Sequence, residues 1–203
     1  MFVNENVLKR LIKAAWKGGG LHIEHTSEGW FAISGMYWAL EIDDQMLSNK
    51  VKAQIVELIG EIPEPGVACL YIKNIDPQYE VPGATYRNRM AEYDNLQEKS
   101  YQFSNVYLKA KNGNIVLLEG SGLRKVMIPE WAADLYDADA VESDETKPEP
   151  GATDSRTAYV IWRNNVMSLM VLKREIRYQG EREFLDAVEE ASLCWEFDED
   201  EEF

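Results

Sequence analysis

Histidine and cysteine are almost missing from this chain of 203 residues: His22 and His25 are its only histidines, Cys69 and Cys194 its only cysteines. Two distant cysteines supply neither a disulfide framework nor a cysteine metal site, and the sequence therefore reads as a protein of a reducing, cytoplasmic compartment. No charged-then-apolar leader opens it, so secretion is not expected. His22 and His25 alternate to opposite faces of a strand, a spacing that cannot bring both onto one metal ion. Nucleophilic catalysis of the Ser-His-Asp or Cys-His type has no serine or cysteine in a nucleophile-elbow context. Neither a dinucleotide fingerprint nor a zinc ribbon is present, and the triplet Gly18, Gly19, Gly20 follows a helix without the Gly-Lys-Ser/Thr close of a phosphate loop. A non-enzymatic protein without cofactors is the expectation. The longest apolar run falls far short of the ~20 residues of a membrane helix, which excludes a spanning segment.

Basic charge is also scarce, with 21 Lys and Arg against 36 Asp and Glu, a net charge of −15. General attraction to nucleic acid or to an anionic membrane is thus not a property of the whole molecule. Distribution matters more than the sum. Acidic residues crowd into 134–149 and 198–202, while the first predicted helix is basic.

Against these shortages stand 45% hydrophobic residues and six tryptophans, enough for a globular core. The organising feature is an apparent repeat: residues 21–47 recur in altered form as 106–132. Aligning Leu21 with Val106 sets Ile23 on Leu108, Phe31 on Val116, Ile33 on Leu118 and Gly35 on Gly120; one added residue then sets Ile42 on Ile128. Each copy reads as strand, polar turn, strand, glycine, strand and helix start, with Asn112-Gly113 as the hairpin signal of the second. The expected fold is α+β, two duplicated modules of antiparallel sheet with helices on one face, spanning 1–83 and 84–203. The second module carries an acidic, loop-like insertion at 137–155 and an acidic tail at 198–203.

In the first predicted helix, capped by Asn4 or Asn6, Val7, Leu8, Leu11, Ile12 and Ala15 share a face. Lys9, Arg10, Lys13 and Lys17 form a basic stripe opposite. Two readings fit the stripe, a solvated face or a surface that meets phosphate. A second helix, capped by Ser48, begins with Lys50 and Lys52. Residues 76–83 read as a connection and 85–96 as a helix carrying Arg87 and Arg89. A proline-led helix opens at Ile128-Pro129 and ends near Tyr136, a hairpin of two apolar strands brackets Arg163-Asn164-Asn165, and Phe184, Leu185, Val188 and Leu193 mark a last helix. The end of the chain, with Trp195, Phe197 and Phe203 among acids, reads either as a frayed tail or as a partner-binding segment.

Residues 4–42, a basic helix followed by LHIEHTSEGWFAISGMYWALEI, with Ser34-Gly35 and Gly120 to Gly122 at the turns and Ile128-Pro129 at a later helix start, resemble a module of the DNA sliding clamps, the polymerase processivity factors. The resemblance implies helices lining a hole with Lys9, Arg10, Lys13, Lys17, Lys50, Lys52, Arg87 and Arg89 towards duplex DNA, and an acidic outer surface. It also implies a homo-oligomer that closes the ring and protein partners drawn from replication or repair machinery. The helices near 131–137 and 181–190 depart from that pattern in being acidic. The competing reading is an acidic phage or mobile-element protein that occupies the basic groove of a nucleic-acid-handling partner, as a DNA mimic.

Overall fold

The chain is described from a computed structural model covering residues 1–109, 113–121, 124–141, 145–175 and 179–196, without the side chains of 105 and 189–196. Helix α1 (Glu5–Lys17) starts where the Asn4 side chain accepts from the backbone of Asn6 and Val7, and stops at Gly18, whose N–H returns to Ala14 and Ala15. Three strands follow as a meander, β1 (Leu21–His25), β2 (Trp30–Ser34) and β3 (Trp38–Asp43). Helix α2 (Asn49–Ile59) begins at the Ser48 cap and ends at Gly60, which takes the left-handed conformation (φ 92°) that a side chain disfavours. β4 (Val67–Tyr71) then lies antiparallel beside β1, and β5 (Gln78–Glu80) beside β4.

After α3 (Arg89–Asn95) the order recurs: β6 (Glu98–Leu108), β7 (Ile115–Glu119) and β8 (Lys125–Pro129) form a meander, α4 (Glu130–Leu135) follows, and β9 (Gly151–Thr153) returns beside β6. A hairpin of β10 (Tyr159–Arg163) and β11 (Met167–Leu172) precedes α5 (Gln179–Glu196). All pairings are antiparallel within an eleven-stranded sheet of order β5-β4-β1-β2-β3-β11-β10-β9-β6-β7-β8. β11 runs along β3, Leu169 opposite Leu40, so strands from both halves of the chain share one sheet. The fold is α+β.

Alternation along the strands gives the sheet two apolar faces. Ile23, Ile33, Leu40, Leu169, Trp162, Val116, Leu118 and Ile128 point to one face and form the main core with Leu8 and Ile12 of α1, Val51 and Ile55 of α2, and Leu135 of α4. Ile161 and Ala152 point the other way and meet Tyr93 and Leu96 at α3. Ile115, Leu117 and Met127 meet Leu185 of α5. The helices therefore cover both faces, not the single face expected from sequence: α3 and α5 each find apolar residues on the second face that strand alternation leaves there.

Two further expectations are corrected. Residues 76–83 contain the short edge strand β5, and the expected loop 137–155 contains β9, in which Ala152 and Thr153 are buried. Three-residue strands have no periodicity of their own; their partners create them. β9 is anchored from outside, because the Tyr93 hydroxyl donates to the carbonyl of Pro150 at 2.6 Å.

The repeat alignment is matched in the second and third strands. Ile33 faces Leu40 and Phe31 faces Ile42 in the first meander, as Leu118 faces Val126 and Val116 faces Ile128 in the second. It slips in the first strand: Ile23 faces Ile33, but the residue opposite Leu118 is Phe103, not Leu108. The connection from β6 to β7, part of which lies outside the described residues, is longer than that from β1 to β2.

Candidate nucleic-acid interface

α1 occupies the middle of the three-helix layer, against α2 on one side and α4 on the other. Its buried line of Leu8 and Ile12 fixes its rotation, and at about 100° per residue this turns Arg10, Lys13 and Lys17 fully outward, with Lys9 at the margin. None of these four cations has an ion-pair or hydrogen-bonding side-chain partner among the described residues.

The other cations predicted to face DNA are placed differently. Lys50 is exposed and pairs with Glu5 at 3.1 Å, linking the first turns of α2 and α1. The Glu5 carboxyl is held below its usual range, first by a hydrogen bond from Ser48 and then by Lys50. Lys52 donates to the carbonyl of Asp44 at 2.8 Å. Both lysines have their charge partly engaged, and only Lys50 is tied to α1.

Arg87 and Arg89 lie on the second face of the sheet. Glu41 of β3, 0% exposed, accepts from the backbone N–H groups of Arg87 and Arg89 at 2.7 Å each and pairs with the Arg89 guanidinium. Arg89 is only 8% exposed and its charge is spent on Glu41. Arg87 is exposed and donates to the carbonyl of Gly83 at 3.3 Å. Glu24 of β1, 2% exposed, accepts from Gly83 at 2.5 Å and from Thr85 and Tyr86 at 3.0 Å each. Residues 83–89 are thus a strap clipped to the second face by two buried carboxylates. Beside it an open cleft of about 570 Å³ is lined by Arg87, Arg89, Glu92, Asn95, Tyr159 and Met170.

The histidines are occupied structurally. His25 stacks on Phe31 with centroids 4.1 Å apart, and its ring nitrogens lie 2.8 Å from the Pro63 carbonyl and 3.4 Å from Asp44. His22 lies 3.0 Å from Glu80. Of the aromatic tail residues, Trp195 falls within α5 but its side chain is outside the description, and Phe197 and Phe203 lie outside the described residues. Sequence reasoning missed the roles of Glu24 and Glu41. For the two glutamates the signal was present, a carboxylate in each of two otherwise buried strands.

Comparison with protein-family models gives no match, and comparison with curated proteins gives none either. No helix among the described residues is long and apolar enough to cross a membrane.

Proposed function

We propose that this protein is a non-catalytic, clamp-like, DNA-associated scaffold or processivity factor, which meets the duplex backbone with the α1 ridge and recruits replication or repair proteins. The observation that carries the reading is the row Lys9, Arg10, Lys13, Lys17 on α1, without an ion-pair partner among the described residues, in a chain whose net charge is −15. A chain this acidic concentrates four cations on one ridge, a pattern suited to phosphates and carrying no sequence information. The shared order β1-β2-β3-α2-β4 and β6-β7-β8-α4-β9 supports two duplicated clamp-like modules. One such chain spans too little to encircle DNA, so closure calls for a homo-oligomer.

The test is binding of a short duplex as a function of salt, with solution mass measured by light scattering in parallel. Neutralising four phosphates gives a slope of log K against log salt of about −3.6, a loss on the order of a hundredfold over a fourfold rise in salt. Charge reversal at Lys9, Arg10 and Lys13 together should abolish the association. A monomer indifferent to duplex at low salt would end this reading.

The acidic-mimic reading rests on α5, which covers the second face of the sheet and presents Glu183 and Asp186 outward. Reversing those charges should then release a basic protein partner, while reversal of the α1 ridge should leave that partner bound.

A further inference from the structure

The cationic ridge does not end with α1. Beyond β4 the chain bends at Asn74, in the left-handed region at φ 63°, and lays Lys73 against the last turn of the helix. The Lys73 N–H donates to the carbonyl of Trp16 at 2.8 Å, and Gly18 and Gly20 donate to Ala14 and Ala15. The carbonyl end of α1, its negative pole, is closed by backbone donors and flanked by the charges of Lys17 and Lys73. Lys73 is exposed, has no carboxylate partner among the described residues, and places its Nζ 5.8 Å from the centroid of the Trp16 ring, within cation–π range. Trp16 in turn packs, partly buried, against the main core.

Resting on the reading above, we infer that Lys73 is a further phosphate-binding residue continuing the α1 row, and that this surface takes the backbone of a duplex rather than the bases of a single strand. The row from Lys9 to Lys17 rises about 12 Å along the helix at ~1.5 Å per residue. Lys73 adds a charge beside the last turn, its backbone held by the bond to Trp16 and its Nζ over the Trp16 ring. Binding of unpaired bases needs an aromatic face free for stacking. Trp16, the aromatic residue of α1, has the core on one side and Lys73 over its ring. What the row offers is exposed charge along one side of the helix, which fits phosphates.

The experiment compares the salt dependence of duplex binding for the full chain, Lys13→Gln and Lys73→Gln, with an unstructured oligothymidine as competitor. The expected result is a slope shallower by about 0.9 for each variant, because each leaves one phosphate unneutralised, and duplex preferred over oligothymidine of equal phosphate content. Lys73→Arg keeps the charge and should keep the full slope. If the unaltered protein ignores duplex, the proposed function falls and this inference with it. If Lys13→Gln flattens the slope while Lys73→Gln does not, the ridge stands and only the role of Lys73 is overturned. Preference for oligothymidine overturns the assignment to duplex. Were Lys73→Gln to weaken binding only through a lowered thermal midpoint, Lys73→Arg would share the defect and the inference would fail.

Discussion

Glu24 and Glu41 face the same side of the sheet on strands separated by β2, with Ala32 in register between them. Ala32 carries only a methyl group there, and residues 83–89 run from one carboxylate to the other, Gly83, Thr85 and Tyr86 donating backbone N–H groups to Glu24 and Arg87 and Arg89 to Glu41. The arrangement explains how a segment with almost no regular structure stays against a buried sheet face. Buried backbone donors need acceptors, and two charges need donors.

Removing one side of that exchange should be costly. Glu41→Gln strands the buried Arg89 guanidinium without its counter-charge, and the expected loss is about 3–5 kcal/mol in urea unfolding. The pair Glu41→Gln with Arg89→Met should lose less than Glu41→Gln alone. Equal stability of Glu41→Gln and the unaltered protein would show that the strap is not held as described.

Ala32→Leu should act on the same strap by crowding. Ala32 is fully buried beneath it, so added side-chain volume must displace the chain from one carboxylate or the other. A loss of about 1–3 kcal/mol is expected, with faster proteolysis inside 83–89. Unchanged protection from protease would contradict it.

The glycines at the corresponding turns of the two meanders are required by space. A methyl group on Gly35 would stand 2.8 Å from Nε1 of Trp38 and 3.2 Å from Cβ of Ala15, and one on Gly120 would stand 2.8 Å from the Tyr101 ring. Gly35→Ala and Gly120→Ala should each lower stability by about 1–3 kcal/mol, read as a reduced urea midpoint. Gly60→Ala meets no neighbour within 4 Å, and its cost comes from the left-handed backbone (φ 92°) alone.

Alkali should loosen the second face. Burial pushes the Tyr93 hydroxyl up to about 12, and burial followed by the hydrogen bond with Glu92 pushes Tyr159 up to about 12. These groups are neutral when folded, with a folded pKa above the unfolded value of about 10. Their contribution is full below pH ~10 and is lost as pH rises through about 12. In a spectrophotometric tyrosine titration, Tyr93→Phe and Tyr159→Phe should each remove one late-titrating phenol. If every tyrosine ionised near pH 10 with tertiary structure intact, the burial of these two hydroxyls would be refuted.

Lys50 and Lys13 offer a contrast within the proposed interface. Because Lys50 is already paired with Glu5, Lys50→Ala should weaken duplex binding less than Lys13→Ala in the same buffer. The reverse order would move the binding surface from α1 to α2.

Much of the helical layer was legible because its signals are local. The Asn4 and Ser48 caps, the spacing of Leu8 and Ile12, and Gly60 lie within a few residues of the helix ends they define. The meanders were legible for a related reason: Phe31, Ile33, Leu40 and Ile42 alternate, and their counterparts Val116, Leu118, Val126 and Ile128 keep the same register. The first strand of the second copy slipped because hydrophobic alternation fixes a face without fixing the length of the turn that follows.

What the sequence determined by itself was the α+β class, the repeated meander and the basic face of α1, since periodicity and capping act between neighbours in the chain. Tertiary structure alone decided the rest. It placed α3 and α5 on the far face, made strands of 78–80 and 151–153 by giving them partners, and joined both halves of the chain through β3 and β11. It also withdrew Arg89 from the surface and brought Lys73 to the end of α1. Each of these depends on an interaction between residues far apart in the chain, such as Glu41 with Arg89 or Trp16 with Lys73, and the energy of such an interaction is set by burial and geometry that exist only once the sheet has formed.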